Sequence, residues 1–267
     1  MSAVNLARLR FQLQGLMKFY ESPPEFHQRL VDLFTQYAHH ALRFGETISI
    51  QPLIPMYHLP RPLVQQLEVT LKKQINNDPD AALQLADRLW QDEYFEVKRT
   101  AIFILGHLPI DDPEPVRSRI KTWLEPGLDG TLSAYLLSHG GGLLQEKFPQ
   151  TWEDLIHDLL MSEETKLKAL GVLGLTERIR SPGFENLPAV FRLISPLIRN
   201  PRPGFTRELE TLIEALINRS PTETEHFLKQ IHLMSDSPET THLIKQCLPK
   251  FPDHLSDDLR RSLRNSN

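Results

Sequence analysis

Apolar residues recur along most of the chain at spacings of three and four, the pattern of helices with one buried face. The clearest instance is Leu85 to Leu108, LADRLWQDEYFEVKRTAIFILGHL. It predicts two helices joined by a turn. The first places Leu85, Ala86, Leu89 and Trp90 on one side. The second carries a stripe of Val97, Ala101, Ile104, Leu105 and Leu108. Pro109 follows and cannot extend the helix.

The same pattern marks the rest of the chain. A helix is predicted within Ser2 to Tyr20, with Leu6, Leu9, Leu13, Leu16 and Met17 inward. Pro23-Pro24 starts a second, which buries Phe26, Leu30, Leu33, Phe34 and Tyr37 and ends at Gly45 as its C-cap. Between Glu46 and Pro62 the pattern stops. Pro52, Pro55, Pro60 and Pro62 exclude a helix, and Thr47 to Ile50 is at most a short extended piece. The expected organisation is an N-terminal helical pair over 1–45, a linker or loop over 46–62 and a repeat array over 63–267. One continuous domain over 1–267 is the alternative.

Helices then follow at Leu63–Asn76, from Asp78-Pro79 onward, Val116–Leu124, Thr151–Met161, Glu163–Ile179, Leu187–Ile198, Thr206–Ile217, Pro221–Met234, Glu239–Leu248 and Asp253–Leu263. Asp78-Pro79 recurs as Asp112-Pro113, 34 residues later. VKRTAIFILG, from Val97, matches TKLKALGVLG, from Thr165, without a gap at an offset of 68 residues. Lys98 falls on Lys166, Ala101 on Ala169, Leu105 on Leu173 and Gly106 on Gly174. That offset is twice the ~34-residue period of paired-helix repeats. Strand signals are nearly absent. The fold expected is all-α, a right-handed α-solenoid of HEAT-like helix pairs, with a concave face built by the second helix of each pair.

Composition narrows the function. The 267 residues carry a net charge of −4, which argues against a sequence-independent nucleic-acid binder. A lone cysteine, Cys247, excludes an internal disulfide and a cysteine-based zinc site. The histidines show no metal spacing: Glu153 and His157 sit four apart without a third ligand. No metal or cofactor is expected. The N-terminus lacks an apolar secretory core and no run is long enough to span a membrane, so a cytoplasmic location is expected.

Local charge points the other way. Lys98 and Lys166 take equivalent places on second helices, with Arg99 and Lys168 beside them. Either they form a row of phosphate contacts, or they belong to solvated faces with local pairs such as Glu164 with Lys168. Between Glu177 and Arg207 stand six arginines, including Arg178, Arg180, Arg199 and Arg202, against two glutamates. This segment either clamps an acidic partner or phosphate or serves as surface charge. Trp90, Trp123 and Trp152 read as core residues between repeats, with base stacking as the other reading. Ser138-His139-Gly140-Gly141-Gly142 reads as a helix break.

Leu89-Trp90, the Glu96 three residues before Arg99 and the A-x-x-x-L-G pattern resemble the HEAT-like repeat family of DNA alkylation repair proteins, best between Leu63 and Ile179. The resemblance implies base excision by a Trp-x-x-x-Asp element, an Arg in the next repeat and a Trp near the C-terminus. The first element should lie in LEPGLDGTLSAYLLSHGGGLL. There the Trp position reads Leu128 and the Asp position Leu132, or Ser133 after a one-residue slip. The Arg should lie in EETKLKALGVLG, which offers Lys166 and Lys168. No Trp stands between Leu243 and Pro249.

The first expectation is therefore a non-catalytic HEAT-like protein that binds a macromolecule, foremost a protein, on its concave face. The alternative is a DNA-binding or DNA alkylation repair protein, with Asp129 as the substitute acid. The binding residues in view are Lys98, Arg99, Lys166, Lys168, Arg178, Arg180, Arg199 and Arg202.

Overall fold

The computed structural model describes residues 5–38, 54–109, 111–125, 127–202, 204–235 and 237–265. The expected Gly45 cap and the extended piece at Thr47 to Ile50 lie outside them. The regular elements of the described residues are all helices, with no strand among them. They divide into two compact units, Met1–Trp152 and Glu153–Asn267.

The first unit holds α1 (Leu6–Met17), α2 (Pro23–Ala38), α3 (Arg61–Asn77), α4 (Pro79–Trp90), α5 (Phe95–Leu105) and α6 (Glu114–Trp123). Then come α7 (Gly130–Tyr135), a π-helical turn at Leu136–Gly140 and α8 (Gly142–Lys147). Alternate helices are neighbours: α1 lies on α3, α3 on α5, and α5 on α7 and the π turn. On the other layer α2 lies on α4, and the Trp90 and Trp123 rings join the ends of α4 and α6. The two layers meet chiefly where α4 packs on α5.

Local chemistry sets the helix starts. Asp78 accepts from the Ala81 amide at 3.0 Å, and Pro79 opens α4 where a missing N–H costs nothing. Asn5 caps α1 and Asp129 caps α7 in the same way. The α5 stripe of Val97, Ala101, Ile104, Leu105 and Leu108 is buried, as its spacing requires. Pro62 does not exclude a helix. It sits in the first turn of α3, which starts one residue before it, at Arg61.

Residues 54–60 run against α5. Phe95 N donates to Pro55 O at 3.0 Å. The buried Glu96 carboxylate accepts from Tyr57 N at 2.9 Å and His58 N at 2.8 Å. His58 takes a φ of +53° there.

The glycine-rich stretch is not a plain break between repeats. It carries α7, the π turn and α8, with Gly141 as the joint between the last two. A Cβ on Gly106 would stand 2.1 Å from His139 O, so only glycine lets α5 approach the π turn this closely.

The division between units falls within α9 (Pro149–Met161). The second unit continues with α10 (Thr165–Arg180), α11 (Leu187–Arg199), α12 (Thr206–Arg219), α13 (Pro221–Leu233), α14 (Pro238–Cys247), a 3₁₀ turn at Leu248–Lys250 and α15 (Asp253–Asn265). Alternation recurs, with α10 on α12, α12 on α14, α11 on α13 and α13 on α15. The internal match between α5 and α10 holds in helix type but not in burial. Val97 and Ala101 are buried, whereas their counterparts Thr165 and Ala169 are exposed and half-buried. In α10 full burial starts only at Gly171 and Val172, which leaves its first turns partly uncovered.

Candidate nucleic-acid interface

Lys98 and Arg99, on α5, are engaged by the first unit itself. Lys98 Nζ donates to Trp90 O and lies 4.4 Å from the Trp90 ring centroid. Burial lowers its pKa, against the opposing pull of Asp92 and Glu125. Arg99 pairs with Glu68 at 3.1 Å, and its Nε donates to the Tyr135 hydroxyl at 3.2 Å. Tyr135 in turn stacks on His139 with centroids 4.0 Å apart. Glu68 and Tyr135 are 31 and 36 residues from Arg99 in sequence, and no local spacing points to them.

The tryptophans are structural in their contacts. Trp90 and Trp123 stack at 4.5 Å and 6°, so each covers a face of the other. Trp152 is buried and faces Gly141, where a Cβ would stand 2.6 Å from its ring.

Asp129 is half-buried, and its Oδ1 accepts from Thr131 N at 2.8 Å and Leu132 N at 3.2 Å. Leu132 and Ser133 are fully buried, and the Ser133 hydroxyl donates to Asp129 O. Among the described residues no group of three or more His, Cys, Asp or Glu could hold a metal ion.

The second unit places its cations differently. Lys166 is exposed at the start of α10. Arg178 lies 5.2 Å from the Phe184 ring centroid and donates to Ser181 Oγ, and burial lowers its pKa. Arg180 pairs with Glu177 at 3.2 Å. Arg199 reaches Met234 Sδ at 3.2 Å.

Lys168 and Arg202 remain, and the structure brings them together. Both line one cavity of about 180 Å³, with Thr165 and Asn200 between apolar walls that include Phe205 and Pro196. No carboxylate lines it. Neither cation forms an ion pair among the described residues. The Glu164–Lys168 pair suggested by spacing is absent there, although the Lys168 amide does bond Glu164 O. The cavity has a local cause. The first turns of α10 are only partly covered, and Asn200 and Arg202 stand beside them. Thr165 and Asn200 carry no sequence signal of their own, although Asn200 lies inside the arginine-rich Arg-Asn-Pro-Arg-Pro-Gly loop. Two cations without ion pairs, with hydroxyl and amide donors beside them, suit an anion with several acceptor oxygens, such as a phosphodiester.

A family model described as DNA alkylation repair enzyme matches residues 38–240, about three quarters of the chain. No curated protein matches.

Proposed function

From membership of the DNA alkylation repair enzyme family, to which this chain belongs, we propose that the protein binds DNA through its phosphate backbone, with Lys168 and Arg202 as the central contacts. The observation that carries this is the carboxylate-free cavity those two cations share. Lys168 also lies in the segment where the family resemblance asks for an arginine. Lys166, two residues before Lys168, is exposed, as is Arg199, three residues before Arg202, and both are candidates for further phosphate contacts. The alternating helix layers support HEAT-like helix pairs as the scaffold within each unit.

Base excision is not part of the proposal. Asp129 spends an oxygen on two helix-capping amides, and Leu132 and Ser133 are buried at the position of the acid. Lys98 and Arg99 are also left out of the contact set, because each already has partners. A protein partner, the first expectation from the sequence, rested on the lack of a convergent catalytic group, and the family match favours DNA over it.

The test is anisotropy of a short labelled duplex across a salt titration, for the wild type and for Lys168→Gln and Arg202→Gln. Each variant should bind more weakly, and its slope of log K against log salt should flatten by about 0.9 for each phosphate no longer neutralised. No binding at low salt, or unchanged slopes in both variants, defeats the proposal.

A further inference from the structure

A second hollow in the second unit has different chemistry. It lies between α11 and α13, has a volume of about 620 Å³ and is lined by Phe191, Phe227, Glu223, Thr222 and Gln230 among others. Phe191 stacks on the buried Phe227 with centroids 4.5 Å apart at 17°, which leaves the half-buried Phe191 ring as the flat apolar wall of the hollow. Glu223 stands exposed on the first turn of α13 and forms no ion pair among the described residues. Glu225, which also lines the hollow, is buried and already holds Lys229. The His226 and Gln230 side chains are hydrogen-bonded to each other at 2.9 Å.

We infer that this hollow receives an arginine side chain from a basic segment of a partner protein. The complement to a flat aromatic wall beside a free carboxylate is a planar cation. A guanidinium stacks on the ring face and presents a donor fork that matches a carboxylate. An ammonium meets only the charge. The hollow is far larger than one guanidinium, so it also admits the backbone and neighbouring side chains of the segment that carries it. Thr222 and Gln230 on its rim offer polar groups to that backbone. The charge preference is opposite to that of the Lys168–Arg202 cavity, so the two sites take different ligands and can be tested apart.

The experiment uses the full chain and three labelled peptides identical except at two positions, which hold arginine, lysine or citrulline. The arginine peptide should bind best, the lysine peptide more weakly and the citrulline peptide not measurably. Glu223→Gln, an exposed and isosteric change, should weaken arginine-peptide binding by about two- to fivefold. Phe191→Leu, which keeps an apolar side chain in place, should weaken it while circular dichroism shows an intact fold. Duplex binding should be unaffected by Glu223→Gln, and peptide binding unaffected by Lys168→Gln, so failure of one site is distinguishable from failure of the other. Equal binding of the arginine and citrulline peptides overturns the inference. So does no binding of any peptide, or a Glu223→Gln variant that binds like the wild type.

Discussion

Replacing Glu96 by alanine removes the group that holds residues 54–60 against α5. Its carboxylate, in a residue only 7% exposed, accepts from Tyr57 N and His58 N at 2.9 and 2.8 Å. A hydrogen bond to a charged group contributes about 1.5–3 kcal/mol, and a buried amide left without a partner costs a similar amount. Two such bonds disappear together. Tyr57 would still pack edge-on to Phe34 at 5.7 Å and stack on Tyr94 at 4.2 Å, which keeps part of the loop in place. The expected loss is therefore about 3–5 kcal/mol rather than the full sum. Glu96→Gln should lose about half as much, because one carbonyl oxygen serves one amide while its NH₂ faces the other N–H. Urea unfolding at a constant slope reads the stability. Limited proteolysis reads whether residues 54–60 have come free. A loss below about 1 kcal/mol for Glu96→Ala, or a loop as protected as in the wild type, would refute the reasoning.

Three further outcomes are expected. Gly106→Ala sets a Cβ against His139 O at 2.1 Å and forces α5 off the π turn, so stability should fall by about 2–3 kcal/mol; an unchanged Tm contradicts that. Asp129→Ala should cost about 1 kcal/mol through removal of the α7 cap and leave duplex affinity unchanged; a collapse of affinity would make Asp129 a DNA contact. Burial pushes the Cys247 thiol up to about 12, so at pH 9 only about one molecule in a thousand carries the thiolate. Ellman's reagent should label it only on unfolding, and rapid labelling of the native protein overturns this. The folded-state value lies above the unfolded one, so the neutral thiol favours the fold below about pH 9. That contribution is lost as pH rises towards 12.

Helix placement is legible because it is written locally, in apolar spacing, Asp-Pro starts and proline stops. The stretch from Leu124 to Lys147 is not. Its glycines read as breakers, yet Gly141 is needed for a contact with a later helix: a Cβ on it would meet the Trp152 ring at 2.6 Å. Such demands leave no local pattern. Charge is obscured likewise. Lys98 and Arg99 look as available as Lys168 and Arg202, because the groups that engage Arg99 are more than thirty residues away. The internal repeat predicts equivalence for Lys98 and Lys166, but α10 is 16 residues long against 11 for α5 and buries its later turns instead. The cavity beside Lys168 lies at the partly covered first turns of α10, and burial of that kind is not contained in a comparison of ten matched residues.

The stacked indoles of Trp90 and Trp123 give the first unit an optical property. Rings 4.5 Å apart and 6° from parallel lie close enough for their electronic transitions to couple, so the pair should add an exciton contribution to the circular dichroism. The Lys98 ammonium above Trp90 adds a local field that shifts its band. Trp152 remains as the separate emitter. A slip between the ends of α4 and α6 would uncouple the pair while every helix stayed intact. Circular dichroism of the indole bands would register it.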